Sequence, residues 1–258
     1  MNFIDTHAHL YDEQFEQDSD AMIQRALDAG VKRMYMPNCD QTTISPMLAL
    51  AERWAESCLP MMGLHPVYVN AAFEKEMNIV EDWLCKRKFY AIGEIGLDKY
   101  WDVQFLAQQK IAFEKQIDLA LAHDLPIVVH SREATPDCIQ IIRAKQNGSL
   151  QGIFHCFSGT IDEAQQLIDL GMKLGIGGVA TFKKSTLPEV IRTIGIQHLV
   201  LETDAPYLAP VPFRGKRNES SYIPTIAATV ATILNKTIEE VAEITTQNGE
   251  KIFGKSFK

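Results

Sequence analysis

The chain alternates short apolar runs with longer amphipathic stretches along nearly its whole length. The runs fall at 3–5, 33–36, 60–63, 90–93, 126–129, 152–154, 173–176 and 198–201 and read as strands. Helix-like stretches lie between and after them at 20–29, 44–56, 74–86, 106–123, 134–145, 162–170, 187–194 and 222–234. Capping chemistry agrees: Asp18 or Ser19 precedes the first helix, Gly30 follows it, and Gly171 follows the sixth. Strand then helix, eight times over, predicts an α/β chain folded as a (β/α)8 TIM barrel, with a doubly wound open sheet as the competing arrangement. Residues 237–249 read as one extra C-terminal helix packed on the outside. No linker or composition break divides 1–258, so a single domain is expected.

Composition narrows the classes. Hydrophobic residues make up 46% and charged residues 22%, an ordinary globular balance. No apolar run is long enough to cross a bilayer, and no basic-then-apolar leader opens the chain. The cysteines, Cys39, Cys58, Cys85, Cys138 and Cys156, are odd in number and lack Cys-x-x-Cys spacing. They read as reduced thiols, and the expected location is cytoplasmic. Only Cys156, beside His155, stands next to candidate chemistry. The net charge of −8 argues against wrapping a long polyanion by bulk electrostatics. A local basic cluster or bound cations can still neutralise a few phosphates.

The candidate chemistry sits where the strands end. His7 and His9 follow the first run, two residues apart, so in extended chain their rings project the same way. His65 follows the third run, Glu94 the fourth, His130 the fifth, His155 the sixth and Asp204 the eighth. In a parallel barrel these ends converge on one face, where active sites form. Of seven histidines only His123 and His198 fall outside this set, and they read as helix-end or surface residues. His7, His9, Glu94, His130, His155 and Asp204 are too many ligands for one tetrahedral zinc with an open position. They predict two divalent ions bridged by a central carboxylate such as Glu94. The nitrogen and oxygen donors suit zinc or manganese, and magnesium less naturally.

The ordered set Asp-Thr-His-Ala-His, Gly-Leu-His-Pro, Gly-Glu-Ile-Gly-Leu-Asp, Val-His-Ser-Arg, His-Cys-Phe-Ser-Gly, Glu-Thr-Asp-Ala-Pro and Arg-Gly-Lys-Arg-Asn-Glu resembles the TatD family of metal-dependent hydrolases, within the amidohydrolase-like barrels. The resemblance runs from residue 3 to about 253. It implies that His7, His9, Glu94 and Asp204 hold one ion, and that Glu94, His130 and His155 hold the other. It also implies a metal-dependent deoxyribonuclease activity, typically 3′-exonucleolytic. Two positions depart from the family pattern. Val67 follows Pro66 where many relatives have a second histidine, and Lys99 follows Asp98 where an aromatic is common. Both are expected near the mouth, where they bear on substrate preference.

The loop after the eighth strand carries Arg214, Lys216 and Arg217 within four residues, cations suited to phosphate oxygens. Arg132 is a second candidate, and Tyr207 or Phe213 could stack on a base. The scheme expected from these residues is metal-assisted hydrolysis of a phosphodiester, and the resemblance implies that it acts at DNA ends. Asp204 orients the attacking water or accepts its proton, while His65, Arg132 and Arg214 position the substrate. Glu202 is expected to support the site or a barrel layer. Two rivals stand beside this scheme. One is ester or amide hydrolysis, including removal of an aminoacyl group from tRNA. Dihydroorotase-like relatives often bridge their ions with a carboxylated lysine, where this chain has Glu94, which weakens the amide variant. The other is a noncatalytic metal-binding protein. No membrane contact or obligatory protein partner is expected.

Overall fold

The computed structural model describes residues 1–101 and 103–254. Eight parallel strands alternate with helices. The strands are β1 (Phe3–Asp5), β2 (Val31–Met36), β3 (Cys58–Pro60), β4 (Ile92–Asp98), β5 (Ile127–Arg132), β6 (Gly152–Phe154), β7 (Met172–Ile176) and β8 (Leu199–Leu201). They form a three-stranded sheet, β1-β2-β3, and a five-stranded sheet in the order β4 to β8. Parallel bridges at Met62↔Ile92 and Ala8↔Ala205 join the two sheets. Met62 N donates to Ala91 O at 3.1 Å on one seam, and Thr6 N donates to Leu201 O at 3.0 Å on the other. The ring is therefore closed, which decides for the barrel over the open sheet.

The intervening helices are α1 (Ser19–Asp28), α2 (Gln41–Arg53), α3 (Phe73–Lys86), α4 (Leu106–Ala122), α5 (Thr135–Lys145), α6 (Ile161–Asp169), α7 (Leu187–Ile194) and α8 (Ile223–Leu234). Helix α2 starts earlier than its apolar pattern, because Asp40 and Thr43 form a reciprocal capping box. Helix α6 is capped the same way by Thr160 and Glu163. Gly30 and Gly171 carry the chain out of their helices at positive φ, as the sequence suggested.

Two elements differ from the sequence expectation. The extra helix, α9 (Ile238–Phe253), runs beyond 249 and does more than pack outside. Its last turn brings Ile252 and Phe253 into one buried cluster with Ile4, Tyr35, Leu59 and Val200 from the strands. Phe253 stacks on Tyr35 with centroids 3.7 Å apart. The helix thus plugs the end of the barrel where the strands begin, and a buried Phe contributes on the order of 2 kcal/mol. Strand β4 also extends beyond 93, so Glu94 lies inside it rather than at its end. The register steps from Ile92↔Ile127 to Ile95↔Val129, one extra residue on β4, and this bulge falls at Gly93–Glu94. Glycines make the close approach there possible. A Cβ on Gly93 would lie 2.7 Å from Val128 Cβ, and one on Gly96 (φ 137°) would lie 2.0 Å from the His130 carbonyl oxygen. No helix among the described residues is long and apolar enough to cross a membrane.

Candidate metal centre

The segment carrying His7 and His9 is laced to the segment after β8. Asp204 N donates to His7 O at 2.9 Å, and His9 N donates to Ala205 O at 2.7 Å. Beneath them the buried Asp5 carboxylate accepts from His7 N (3.2 Å), Thr203 N (3.0 Å) and Ser220 Oγ (2.6 Å). Burial pushes Asp5 up to about 7, although these donors oppose the shift. The two ends of the barrel chain are thereby held in one register, with His7, His9 and Asp204 on the same face.

Glu94, 2% exposed, is the hub. Its Oε1 lies 2.9 Å from His130 Nδ1, 3.2 Å from His155 Nε2 and 3.4 Å from His65 Nε2. Its Oε2 lies 3.1 Å from His7 Nε2 and 3.5 Å from His9 Nε2. Asp204 Oδ1 closes the group at 3.7 Å from His7 Nε2 and 3.6 Å from His9 Nε2. All six sequence-predicted ligands and His65 therefore converge. Three overlapping sets have the spacing of a metal site: His7, His155 and Asp204; His7, His9 and Glu94; His65, Glu94 and His130. Glu94 Oε2 is buried without a hydrogen-bond donor. The Nε2 atoms of His7 and His9 face each other at 3.3 Å, and a shared cation would satisfy all three atoms. The donor set fits divalent ions.

For His9, His65, His130 and His155 the partner of the far nitrogen decides which nitrogen faces the centre, whereas His7 Nδ1 is buried without a hydrogen-bond partner. Asp98, 1% exposed, accepts from His130 Nε2 at 3.0 Å, and Glu202 Oε1 accepts from His155 Nδ1 at 3.1 Å. Tyr11 donates its hydroxyl to Pro37 O and so accepts from His9 Nδ1 at 3.1 Å. His65 is different. Val67 N donates to its Nδ1 at 3.2 Å, which places the proton of the neutral ring on Nε2. Burial holds His65 below its ordinary pKa, so the neutral ring presents this N–H to the centre. Burial opposes a charge on His155 too, but the Glu202 and Glu94 carboxylates outweigh it and raise its pKa well above the ordinary value. Cation binding at such a centre displaces protons. Tyr11→Phe is expected to weaken metal binding about 10-fold, because His9 Nδ1 keeps only the weaker Cys39 Sγ contact at 3.6 Å; titration with a competing chelator checks this.

The basic residues divide. Arg214 is exposed and stacks its guanidinium 4.5 Å from the Phe182 ring centroid, and Lys216 is exposed as well. Neither has a carboxylate partner among the described residues. Arg217 does not belong with them. Its guanidinium binds Asp18 (2.7 and 2.8 Å), Glu219 (2.9 Å) and Gln14 O (2.6 Å), and lies over the Phe15 ring. Its charge is thus committed to pinning the loop onto the segment that leads into α1. Hydrogen bonds from Arg217 and Arg25 hold Asp18 well below the usual carboxylate range. Burial raises Glu219, but the same two guanidinium groups outweigh it. Depressed carboxylates stabilise the fold above about pH 4 and lose that contribution as pH falls below it. Arg217→Ala is expected to cost about 1–2 kcal/mol at pH 7, with the gap to the parent protein narrowing below about pH 4 in urea titrations.

Other residues marked in the sequence settle into plain roles. Lys99 is ion-paired with Asp137, which also binds Lys110 at 2.6 Å. Val67 is exposed at the mouth. Phe213 has one face stacked on Tyr222 at 4.1 Å, whereas Tyr207 is 49% exposed with its ring 6.2 Å from His9. Burial pushes the Cys156 thiol up to about 12, so it supplies no thiolate near neutral pH. His123 caps the end of α4, and His198 ends a 3-10 turn, both away from the cluster. Sequence reading missed Asp98 and Tyr11 as partners of ligand histidines; the only local signal was their place beside the Gly-Leu and His-Leu motifs.

A closed parallel barrel with imidazoles and carboxylates gathered at its strand ends defines a metal-dependent hydrolase architecture. Residues 4–254 match the family described as TatD related DNase. An uncharacterized metal-dependent hydrolase of Bacillus subtilis, YabD, is 38% identical over 96% of this chain and 98% of its own. A protein named 3′-5′ ssDNA/RNA exonuclease TatD, from Pantoea ananatis, is 30% identical over 97% of this chain and 98% of its own. The crystal structure of a TatD homologue from Escherichia coli, YjjV, superposes with a TM-score of 0.92 at 30% identity, covering 98% of both chains. The chain belongs to the TatD family of metal-dependent hydrolases.

Proposed function

We propose that the protein is a phosphodiesterase acting on DNA ends, removing nucleotides from the 3′ end. The observation that carries this reading is a set of cations without carboxylate partners among the described residues, Arg132, Arg214 and Lys216, on the barrel face that holds the Glu94-centred cluster. His7, His9, Glu94 and Asp204 would hold one divalent ion, and Glu94, His130 and His155 a second. When bound, such ions acidify water and neutralise charge on the phosphoryl and leaving oxygens.

The chain's own residues do the rest. Burial raises the pKa of Asp204, but the hydrogen bond with His9 and the neighbouring imidazoles outweigh it, so the carboxylate is ionised at neutral pH. Among the carboxylates that meet the cluster it is the most accessible, at 17% side-chain exposure, and it accepts the proton of the attacking water. His65, with its proton on Nε2, donates to a phosphoryl oxygen. Arg132 and Arg214 hold neighbouring phosphates, and Lys216 adds a point charge. Asp98, Glu202 and Tyr11 keep the imidazoles oriented.

The test is a metal-stripped preparation reloaded with zinc, manganese or magnesium. It is offered 5′-labelled single-stranded oligonucleotides beside carboxyl esters, aminoacyl esters and amides. Stepwise shortening from the 3′ end, lost with chelator and restored by the ion, is the expected result. Turnover of the esters or amides with the oligonucleotides left intact would overturn it.

A further inference from the structure

Two largely exposed aromatic residues stand directly after β4, Tyr100 (51% exposed) and Trp101 (67% exposed). They are not loosely placed. Asp98 Oδ1 accepts from both of their backbone N–H groups, at 2.8 and 3.0 Å. The other oxygen of the same carboxylate holds His130 Nε2 at 3.0 Å. One side chain thus fixes the aromatic turn and a ring of the metal cluster in a common frame. The two aromatic rings meet edge to face with centroids 5.1 Å apart, and both residues stay largely exposed.

Arg132 completes the group. Asp98 and Arg132 are register partners on β4 and β5, which sets the arginine beside the turn. Its guanidinium lies 3.8 Å from the Tyr100 centroid and 5.5 Å from that of Trp101. Stacking occupies the face of the guanidinium and leaves its N–H edges free, and no carboxylate pairs with it among the described residues. A small cavity of about 30 Å³ under Trp101 is lined also by Val67 and Phe105. Flat apolar faces beside such an edge-on cation match the two halves of a nucleotide, base and phosphate.

We infer that Tyr100, Trp101 and Arg132 form a nucleotide subsite, in which one unpaired nucleobase of the bound strand stacks on the aromatic pair while Arg132 takes the adjoining phosphate. The assignment rests on the phosphodiesterase reading above and adds the requirement for an unstacked base. A base held in a duplex cannot offer its face to this rim, so the subsite selects single-stranded or frayed ends.

The experiment uses the metal-loaded protein and a 5′-labelled single strand whose 3′ linkages are phosphorothioates, with binding read by fluorescence anisotropy. Companion strands lack the base at one position each. In the parent protein one abasic position should weaken binding about 10-fold. Trp101→Ala should weaken the intact strand by a similar factor and show no further loss at that position, while Trp101→Phe restores most of the affinity. Equal affinity of Trp101→Ala and parent, or losses that multiply as if independent, would overturn the subsite. Cleavage of the unmodified strand is followed in parallel. Cleavage without this coupling refutes the subsite alone; coupling without cleavage refutes the reaction alone; neither binding nor cleavage refutes both.

Discussion

Glu94→Gln is expected to lower kcat/KM for metal-dependent hydrolysis by about 10³-fold or more, the equivalent of roughly 4 kcal/mol of lost transition-state stabilisation. The reason lies in how many partners meet one carboxylate. His130, His155 and His65 address Oε1 between 2.9 and 3.4 Å, while His7 and His9 address Oε2 at 3.1 and 3.5 Å. An amide keeps the shape but removes the charge that draws cations between these rings, and it turns an NH₂ group toward one set of them. In the metal-free protein the loss also bears on the imidazoles. Burial opposes their protonation, and Glu94 is among the charges that raise the pKa of His9, His130 and His155. Elemental analysis of the purified variant should show fewer ions per chain than the parent, with circular dichroism unchanged. Full metal content together with full turnover would remove Glu94 from the centre of the site.

That hub is legible in the sequence because it depends on residue type and phase alone. A histidine or carboxylate at the end of a strand in a parallel barrel must reach one face, whichever helices intervene. His7, His65, His130, His155 and Asp204 can therefore be grouped although Asp5 and Thr203, the neighbours that join their first and last segments, stand 198 residues apart in sequence. Glu94 is found for the same reason, but its depth within the strand is not. Its charge ends the apolar run, whereas the ladder continues through Leu97 and Asp98, paired with Ser131 and Arg132. Polar residues inside a strand carry no periodic signal when they face a polar centre.

What sequence could not supply were pairings between loops. Arg217 looks like its neighbours Arg214 and Lys216 in a charge run. Only the fold brings Asp18, 199 residues away, against its guanidinium and removes it from the candidate phosphate-binding set. The partnership of Asp98 with His130 and that of Tyr11 with His9 are likewise set by how adjacent strand ends meet. The end of α9 was missed for a different reason. Ile252 and Phe253 follow the polar stretch Gln247–Lys251, so the apolar pattern fades just before the residues that plug the barrel.

Asp204→Asn separates holding an ion from moving a proton. The asparagine carbonyl can still point at His7 and His9, so metal content should fall far less than in Glu94→Gln. An amide cannot accept a proton at neutral pH, and kcat is expected to drop by about 10² to 10⁴-fold, the range for loss of a positioned general base. KM for an oligonucleotide should change little, because the residues proposed to hold the strand, His65, Arg132 and Arg214, are untouched; a fall in kcat with KM preserved marks an interaction made in the transition state. The parent carboxylate is held below its ordinary pKa, with the His9 hydrogen bond and the neighbouring imidazoles outweighing burial, so it stays ionised and ready to accept throughout the neutral range. Its accessibility at the mouth agrees with that task, since a base must meet solvent-derived water, whereas Glu94 is sealed. Were Asp204→Asn to bind metal weakly yet keep its kcat at saturating ion, the residue would be a ligand only, and the proton would have to leave by another acceptor.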